Sequence, residues 1–325
     1  MTITRRCSKC GFPLGVRPGM FERDGVRGAC INSESKKGID WKGRQEYITK
    51  LIAENHDGEY DCAVAVSGGK DSHAIVKRLF ENHGVKKALL ITVCDEFTKT
   101  EAGKRNLENL VNRYNCDHIA IRYSPAEFKK HTKEDFINEL HPLKWIEERI
   151  YSAPINLAKA LGIKVIFFGE NSAFEYGTSE DPTFYHPYSG DDIKVIYFGM
   201  IWPYSIIDSL VEAKEIGFVD LDDTGEWERK GSIEQFTQID SIGYLVQLWT
   251  KYPKYGFQRV TDIACRMLRE LKNPGLRGLL SAYMSIEACD HILDPRSKAD
   301  FCRCIDITED EFDEIVRNYV ARQSH

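Results

Sequence analysis

The stretch Ala63-Val-Ala-Val-Ser67-Gly-Gly-Lys-Asp-Ser72 joins a short apolar run to a glycine-containing polar segment, and an amphipathic stretch follows it. This order predicts a buried strand, a tight turn and the start of a helix. The two glycines let backbone N–H groups approach an anion closely. The N–H groups and the dipole of a helix N-terminus also favour negative charge, and Lys70 adds a mobile cation. The segment therefore predicts a phosphate-binding turn.

The spacing of the glycines separates this turn from other phosphate-binding loops. It lacks the Gly-x-x-x-x-Gly-Lys-Ser/Thr spacing of a Walker loop and the Gly-x-Gly-x-x-Gly spacing of a dinucleotide fold. It resembles the PP-loop, Ser-Gly-Gly-x-Asp-Ser, of the N-type ATP pyrophosphatases. The resemblance implies that the loop grips the pyrophosphate of ATP while a substrate oxygen takes the AMP. A tight turn without a ligand is the alternative, and the consecutive matches directly after a strand pattern favour the nucleotide.

Strand and helix patterns alternate after residue 61. The predicted strands are Cys62–Val66, Ala88–Cys94, His118–Tyr123 and Lys164–Phe168. The predicted helices between them are His73–His83, Lys99–Tyr114 and Lys144–Leu161. Such alternation predicts an α/β fold, a parallel sheet with helices on both faces, and the PP-loop resemblance implies the adenine-nucleotide alpha hydrolase-like form of it. Ligands bind outside the carboxyl ends of such strands, which are here Ser67–Ser72, Thr92–Glu96 and Gly169–Gly177.

Three regions are predicted along the chain. Residues 1–40 are rich in Gly, Arg, Lys and Cys and are predicted to form a small irregular module. Residues 41–235 are predicted to form the PP-loop domain, and residues 236–325 a helical C-terminal region. Further helices are predicted at Trp41–Asn55 (with Asp40 as N-cap), Gly243–Thr250, Gln258–Glu270, Arg277–Ala288 and Glu309–Arg322 (with a capping box of Thr308 and Glu311). Residues 172–232 predict a long aromatic loop, either a substrate cover or an insertion packed on its own aromatic side chains.

Composition narrows the partners. The 325 residues carry a net charge of −6, with lysines and arginines scattered, which argues against a nucleic-acid partner. No apolar run approaches the roughly 18–20 residues that span a bilayer, and the N-terminus has no apolar signal region. We therefore expect a cytoplasmic protein that does not bind membranes, whose ten cysteines are thiols or metal ligands.

Several motifs together resemble the N-acetyl sugar amidotransferases of bacterial surface-polysaccharide (lipopolysaccharide and related glycan) biosynthesis. The motifs that carry this resemblance are Cys7-x-x-Cys10, Arg17-Pro-Gly, Asp24-Gly-Val, Ala29-Cys30, Ile39-Asp40-Trp41, Arg44, Ser67–Ser72, Phe168-Gly-Glu170-Asn, Glu175-Tyr176-Gly177 and Ile307–Phe312. The resemblance implies an enzyme that turns the N-acetyl group of a nucleotide-linked sugar into an acetamidino group. ATP would adenylylate the amide oxygen, and ammonia would then displace AMP.

This resemblance assigns roles to individual residues. The predicted catalytic residues are Lys70, Asp71 and Glu170. The residues predicted to bind ATP with Mg²⁺ are Ala65, Ser67, Gly68, Gly69, Lys70, Asp71, Ser72, Val93 and Gly169. The residues predicted to face the sugar are Glu170, Asn171, Glu175 and Tyr176. An exposed carboxylate at a strand end is the alternative interpretation of Glu170.

Two cysteine clusters predict a structural zinc ion. Cys7-x-x-Cys10 with Cys30 has zinc-knuckle spacing, and a module with little core benefits from a metal. Four ligands are needed, and the resemblance implies a cysteine where this chain has Arg27. Cys302 or Cys304 supplies the fourth sulfur if the termini meet; otherwise the thiols are free. Cys265 fits an amphipathic pattern and is expected to be a small buried apolar side chain.

The predicted amidotransferase reaction needs a source of ammonia. No cysteine stands at the mature N-terminus or in a Gly-x-Cys-x-Gly turn, so the chain lacks a glutaminase of its own. The resemblance implies a separate glutaminase subunit, with a synthase-like channel subunit as a further partner. A tRNA-thiolating PP-loop enzyme is the alternative. It is disfavoured by the acidic charge balance and because no cysteine directly follows Pro142, where some such enzymes have a Pro-Cys-x-x-Cys pair. A second alternative is a subunit that binds a nucleotide but catalyses no reaction. The complete Ser67–Ser72 motif and the presence of Glu170 argue against it.

Overall fold

The computed structural model describes residues 5–55, 58–170, 172–180, 183–203, 205–270 and 289–323. Its strands are β1 (Glu22–Arg23), β2 (Val26–Arg27), β3 (Cys62–Ala65), β4 (Ala88–Cys94), β5 (Asp117–Arg122), β6 (Val165–Phe168) and β7 (Lys194–Tyr197). Its helices are α1 (Gly28–Ser35), α2 (Trp41–Glu54), α3 (Lys70–Asn82), α4 (Glu101–Tyr114), α5 (Pro125–Glu139), α6 (Lys144–Ala160), α7 (Ser172–Glu175), α8 (Ile206–Glu215), α9 (Leu221–Thr224), α10 (Leu245–Trp249), α11 (Lys251–Tyr255), α12 (Arg259–Glu270), α13 (Pro295–Ile305) and α14 (Glu309–Gln323).

The main sheet has five parallel strands in the order β5-β4-β3-β6-β7. Alternate residues of each strand point to opposite faces, so both faces are buried by helices. Cys62 and Val64 pack with residues of α2, α3 and α4 on one face. Ala63 packs with Ile155 and Ala158 of α6 on the other face. The predicted α/β class with helices on both faces is confirmed.

Some elements differ from the sequence-based expectation. The fifth strand β7 and the helix α8 lie inside residues 172–232, which had been expected to form one long loop. The short apolar run of strand β7 lies among other aromatic and polar residues, which obscured the strand pattern there. Helix α1, inside the module expected to be irregular, was also missed, as were α5, α11 and α13. The helix predicted at Arg277–Ala288 lies outside the described residues.

The ends of the helices follow their capping residues. Asp40 accepts a hydrogen bond from the backbone N–H of Gly43 and caps α2, as predicted. Thr308 and Glu311 form the predicted capping box at the start of α14. The helix α3 begins at Lys70 rather than at His73, with Gly69 as its N-cap. The segment predicted to bind phosphate therefore includes the first turn of this helix.

The N-terminal and C-terminal parts of the chain both pack beside the carboxyl end of the sheet. Helix α1 packs against α7, which follows β6. Asp300 of α13 accepts hydrogen bonds from the backbone N–H groups of Thr98 and Gly243 and so fixes the loop after β4. The domain boundaries at residues 40 and 235 stay predictions. Among the described residues, no helix combines the length and apolar character of a membrane span.

Candidate active site

A cavity of about 650 Å³ opens at the carboxyl ends of β3, β4 and β6. The chain runs outward from β3 through β4 to β5 on one side and returns to β6 and β7 on the other. The sheet therefore changes direction beside β3, where ligands bind in open α/β sheets. The volume lies within the range of about 300–1,000 Å³ that is common for small-molecule sites. Nine of the predicted site residues line it: Ala65, Ser67, Asp71, Ser72, Val93, Gly169, Glu170, Glu175 and Tyr176.

Two hydroxyl groups accept hydrogen bonds from backbone N–H groups in the loop between β3 and α3. The backbone N–H of Ser67 donates to Ser72 Oγ over 3.1 Å, and that of Gly69 donates to Ser67 Oγ over 3.3 Å. Gly68 has a φ of +84°, which favours glycine. No side chain caps the start of α3, so the positive end of its dipole faces the loop. This arrangement suits an anion at the start of α3.

A buried histidine that the sequence analysis missed stabilises this loop. His73 is fully buried, and its Nδ1 donates to the carbonyl oxygen of Gly69 over 3.1 Å. Its Nε2 accepts from the side-chain amide of Asn109 over 3.2 Å, which fixes the neutral tautomer. Burial lowers the pKa of His73 to about 4. A histidine at helical spacing gives no distinctive signal in one sequence, so only the contacts reveal it.

Lys70 differs from the mobile cation that the sequence suggested. Its side chain is 2% exposed, and its Nζ lies 2.6 Å from Asp71 Oδ1. The carboxylate of Asp71 faces the cavity, whereas Lys70, Gly68 and Gly69 are not among its lining residues. Lys70 is buried because α3 begins at Lys70 itself and turns its side chain toward the protein interior. Its charge therefore acts on the cavity through Asp71.

Glu170 lies two residues beyond the end of β6 and lines the cavity. Among the described residues, its Oε2 is buried without a hydrogen-bond partner, while Oε1 accepts from the hydroxyl of Tyr151 over 3.4 Å. Burial raises the pKa of Glu170 to about 7, and the charges of Glu175 and Asp71 act in the same direction. A carboxylate of this kind is stabilised by a cation, which would lower its pKa.

These carboxylates fit a magnesium ion. In the described part of the chain only a cysteine cluster brings three potential ligand atoms within 4.8 Å of one another, so the acidic residues form no complete cage. Magnesium usually takes one or two carboxylates and the phosphates of its nucleotide. Asp71 and the unpartnered oxygen of Glu170 are the residues that would hold it. A bound magnesium ion would neutralise phosphate charge there.

Another part of the cavity wall carries cations from α12, which the sequence analysis did not single out. Arg266 Nη1 lies 2.8 Å from Glu175 Oε1, and both side chains are largely buried. Arg259 lines the same wall, and its buried Nε makes no hydrogen bond within the described residues. The guanidinium of Arg266 also lies 5.9 Å from the centre of the Tyr176 ring. This wall therefore offers positive charge and an aromatic surface to a second anionic ligand.

The N-terminal module supports the segment that carries Glu175 and Tyr176. The side-chain amide of Asn32 donates to the carbonyl oxygens of Ala173 and Ser179, each over 2.8 Å. Gly177 has a φ of +75°, and a Cβ on it would lie 2.3 Å from the backbone nitrogen of Ala29. The Glu-Tyr-Gly motif thus requires glycine because α1 passes directly against it. Asn171 lies outside the described residues.

A cysteine cluster lies in the N-terminal module. The Sγ atoms of Cys7, Cys10 and Cys30 all lie within 4.8 Å of one another, and the three side chains are buried. This donor set fits a zinc ion, which prefers thiolate ligands. The prediction that Cys302 or Cys304 completes the site is wrong. Cys302 packs beside Phe312 in the C-terminal helical cluster, and Cys304 Sγ donates to the carbonyl oxygen of Glu96.

Comparison with known proteins gives distant structural similarity. The sequence matches no protein-family model and no curated protein. The NMN synthetase from Francisella tularensis has a TM-score of 0.39 and 12% identity, covering 74% of this chain and 96% of that chain. The NH3-dependent NAD synthetase from Campylobacter jejuni, in complex with the nitrate ion, has a TM-score of 0.35 and 14% identity, covering 78% of this chain and 98% of that chain. Similarity at this level supports no inference about activity or substrate.

Proposed function

We propose that this protein is an ATP-dependent, AMP-forming amidotransferase that converts the N-acetyl group of a nucleotide-linked sugar into an acetamidino group. One observation carries the proposal: the Ser67–Ser72 loop and the residues Glu170, Glu175 and Tyr176 border one cavity. These are the two groups of motifs that the sequence assigned to ATP and to the sugar. A cavity of about 650 Å³ at the sheet edge supports binding of both ligands at one site.

The proposed chemistry has two balanced steps. The acetamide oxygen attacks the α-phosphorus of ATP, the bond to the β-phosphate oxygen breaks, and pyrophosphate leaves with the electron pair. The imidate formed in this way carries AMP on the former carbonyl oxygen. Ammonia adds to its carbon, AMP leaves with that oxygen, and loss of a proton gives the amidine. Adenylylation is needed because an amide oxygen is otherwise a poor leaving group.

The residues have separate roles in this proposal. The start of α3, with Ser67 and Ser72 at the cavity, receives the pyrophosphate of ATP, and Asp71 with Glu170 holds Mg²⁺. Lys70 orients Asp71 through their ion pair. Arg259 and Arg266 receive the diphosphate of the nucleotide sugar, because bidentate arginine groups suit phosphates. A separate glutaminase supplies ammonia in the cell, and ammonium salts replace it in vitro.

An isotope experiment tests this reaction directly. The protein is incubated with ATP, Mg²⁺, ammonium and a panel of UDP-linked N-acetyl sugars that carry oxygen-18 in the acetyl carbonyl. We expect one sugar to give AMP and pyrophosphate in equal amounts, with the heavy oxygen in the phosphate of AMP, as seen by phosphorus NMR. Formation of ADP and orthophosphate, or of AMP without the label when the sugar is consumed, would overturn the proposal.

Variants connect this activity to the site. Asp71→Ala and Lys70→Ala are expected to reduce kcat by about 100-fold or more, the usual effect of losing one preorganised charge contact in an active site. Asp222→Asn is the matched control, because Asp222 is exposed on α9 and lies outside the cavity. Near-normal product formation by both Asp71→Ala and Lys70→Ala would show that the loop does not act on ATP.

A further inference from the structure

Cys265 of α12 lies in the same buried cluster as Cys7, Cys10 and Cys30, although 235 residues separate it from Cys30. Its side chain is 0% exposed. Its Sγ lies 3.2 Å from the carbonyl oxygen of Cys10, to which the thiol donates a hydrogen bond. Among the described residues it is the one further cysteine of this cluster. Four sulfur atoms therefore converge from three segments of the chain.

The spacing of the sulfur atoms matches that of a metal site. In a tetrahedral zinc site with Zn–S bonds of about 2.3 Å, neighbouring sulfur atoms lie about 3.8 Å apart. The Sγ atoms of Cys7 and Cys30 are 3.8 Å apart. The backbone N–H of Arg27 donates to Cys7 Sγ over 3.3 Å, which supports a thiolate at this position. Cys7 and Cys30 therefore already have the spacing of two corners of such a site, and the Cys10 sulfur lies within 4.8 Å of both.

The charges around the cluster suit four thiolates. Four thiolates with Zn²⁺ carry a net charge of −2, which is unfavourable in a buried site unless cations lie nearby. Arg27 is 1% exposed, and within the described residues its buried Nε and Nη1 make no hydrogen bond. Both Arg27 and Arg269 lie close enough to the Cys10 and Cys265 thiols to interact electrostatically. The buried carboxylate of Asp262 also acts on Arg27. An anionic metal site would stabilise this guanidinium further, which neutral thiols would not.

We propose that Cys265 is the fourth ligand of a structural zinc site formed with Cys7, Cys10 and Cys30. Its sulfur does not lie within 4.8 Å of all three others, because its thiol donates to the carbonyl oxygen of Cys10. Metal binding removes that proton and ends the hydrogen bond, and rotation about the Cα–Cβ bond then turns the sulfur toward the metal. The N-terminal module alone supplies three ligands, and α12 supplies the fourth.

The proposed zinc site connects the N-terminal module to the candidate active site. Arg266, the next residue on α12 after Cys265, pairs with Glu175 in the cavity wall. Arg269, one helical turn further, donates to the carbonyl oxygen of Glu175 over 3.1 Å. The metal therefore fixes the helix whose side chains form the cationic wall. This assignment does not depend on which substrate the cavity binds.

Metal analysis of the full-length protein tests the proposal. We expect one zinc per chain in wild-type protein, with X-ray absorption showing four sulfur neighbours at about 2.3 Å. Cys265→Ser should lose its zinc to a chromophoric chelator at a concentration at least tenfold lower than wild type requires. Cys302→Ser is the matched control: Cys302 is also buried on a C-terminal helix, but it lies in a different cluster, and this variant should hold zinc as wild type does.

Three results would overturn the proposal. One is wild-type protein that binds no zinc after reconstitution. Another is an X-ray absorption spectrum of wild-type protein in which zinc has three sulfur neighbours and one nitrogen or oxygen neighbour. This measurement uses wild-type protein, so it remains decisive even if Cys265→Ser does not fold. The third is a Cys265→Ser variant that keeps zinc as firmly as wild type. Cobalt substitution gives a second reading, because the intensity of its thiolate charge-transfer band should fall by a quarter in Cys265→Ser.

Discussion

The guanidinium of Arg266 lies 2.8 Å from the carboxylate of Glu175, which joins helix α12 to the short helix α7 across the cavity wall. The two side chains are 4% and 17% exposed. Because Arg266 keeps little of its hydration, its interaction with an anion in the cavity is stronger than at an open surface. Glu175 holds the guanidinium in one orientation before a ligand arrives. In the proposed function, this pair positions a cation for the diphosphate of the nucleotide sugar.

Arg266→Lys should weaken binding of the nucleotide sugar more than binding of ATP. Lysine keeps the charge but loses the planar, bidentate geometry that pairs with carboxylate and phosphate. We expect the KM for the nucleotide sugar to rise about tenfold, the equivalent of about 1.4 kcal/mol, while the KM for ATP changes little. Steady-state kinetics with each substrate varied in turn measure the two values. Arg317→Lys, an exposed change on α14, is the control, and an equal rise in both KM values would contradict the assignment.

Gly68→Ala should disrupt the Ser67–Ser72 loop, which is proposed to bind ATP. Gly68 has a φ of +84°, and an added Cβ would lie 3.2 Å from the backbone nitrogen of Leu107. We expect the free energy of unfolding to fall by about 1–2 kcal/mol, the usual cost of a left-handed residue with a side chain, and ATP binding to fall with it. Gly69→Ala is the control for stability, because Gly69 has an extended backbone and its added Cβ meets only the hydroxyl of Ser67. Equal stability of both variants in urea would contradict the strain argument.

Glu170→Gln should change how stability depends on pH. Because the pKa of Glu170 is raised to about 7, the stability linked to its protonated form is present below pH 4.5 and is lost as the pH rises through about 7. Glutamine stays neutral, so the Tm of the variant should exceed that of wild type at about pH 8, with the difference shrinking toward pH 5. Calorimetry at both pH values measures it.

Magnesium provides the control for this prediction. Added with ATP, it should raise the Tm of wild type at about pH 8 more than that of Glu170→Gln, because a bound cation stabilises the ionised carboxylate. A difference between the proteins that stays constant from pH 5 to pH 8 would mean that Glu170 does not titrate in this range.

The sequence predicted the parts of this protein whose signals are local. The strand–loop–helix around Ser67–Ser72 and the position of the cavity at the strand ends follow from consecutive residues. Glu170, which directly follows a predicted strand, was identified for the same reason. Each of these features depends on neighbours in the chain, so one sequence is sufficient to show it.

The features that the sequence missed arise from packing between distant segments. Arg266 and Cys265 lie on an amphipathic helix, where a single sequence cannot distinguish an apolar contact from a metal ligand. The burial of Lys70 depends on where α3 begins, and helix starts are difficult to place within a few residues. The fourth cysteine was sought at Cys302 because it belongs to a visible pair, whereas the structure brings an isolated cysteine to the cluster.

Gly177→Ala should separate the N-terminal module from the cavity wall. An added Cβ would lie 2.3 Å from a backbone atom of Ala29, which cannot move independently of α1, and the φ of +75° adds strain. We expect a loss of about 2–3 kcal/mol in the free energy of unfolding and a raised KM for the nucleotide sugar. Gly190→Ala is the control, since nothing lies within 4 Å of its added Cβ. Unchanged stability and kinetics in Gly177→Ala would show that this contact is not needed.

Removal of zinc should weaken binding of the nucleotide sugar more than binding of ATP. The proposed ligand Cys265 precedes Arg266 on α12, so the metal fixes the helix that carries Arg266. The Ser67–Ser72 loop is instead held by hydrogen bonds of Ser72 and His73 on α3. Calorimetric titration of chelated wild-type protein should therefore show a Kd for a UDP-linked sugar raised about tenfold or more, with the Kd for ATP changed by less. Restoring zinc should reverse the effect, and Cys265→Ser should show the same rise in Kd at a chelator concentration at least tenfold lower than wild type requires. If chelation affects both ligands equally, the metal stabilises the whole fold rather than the cationic wall.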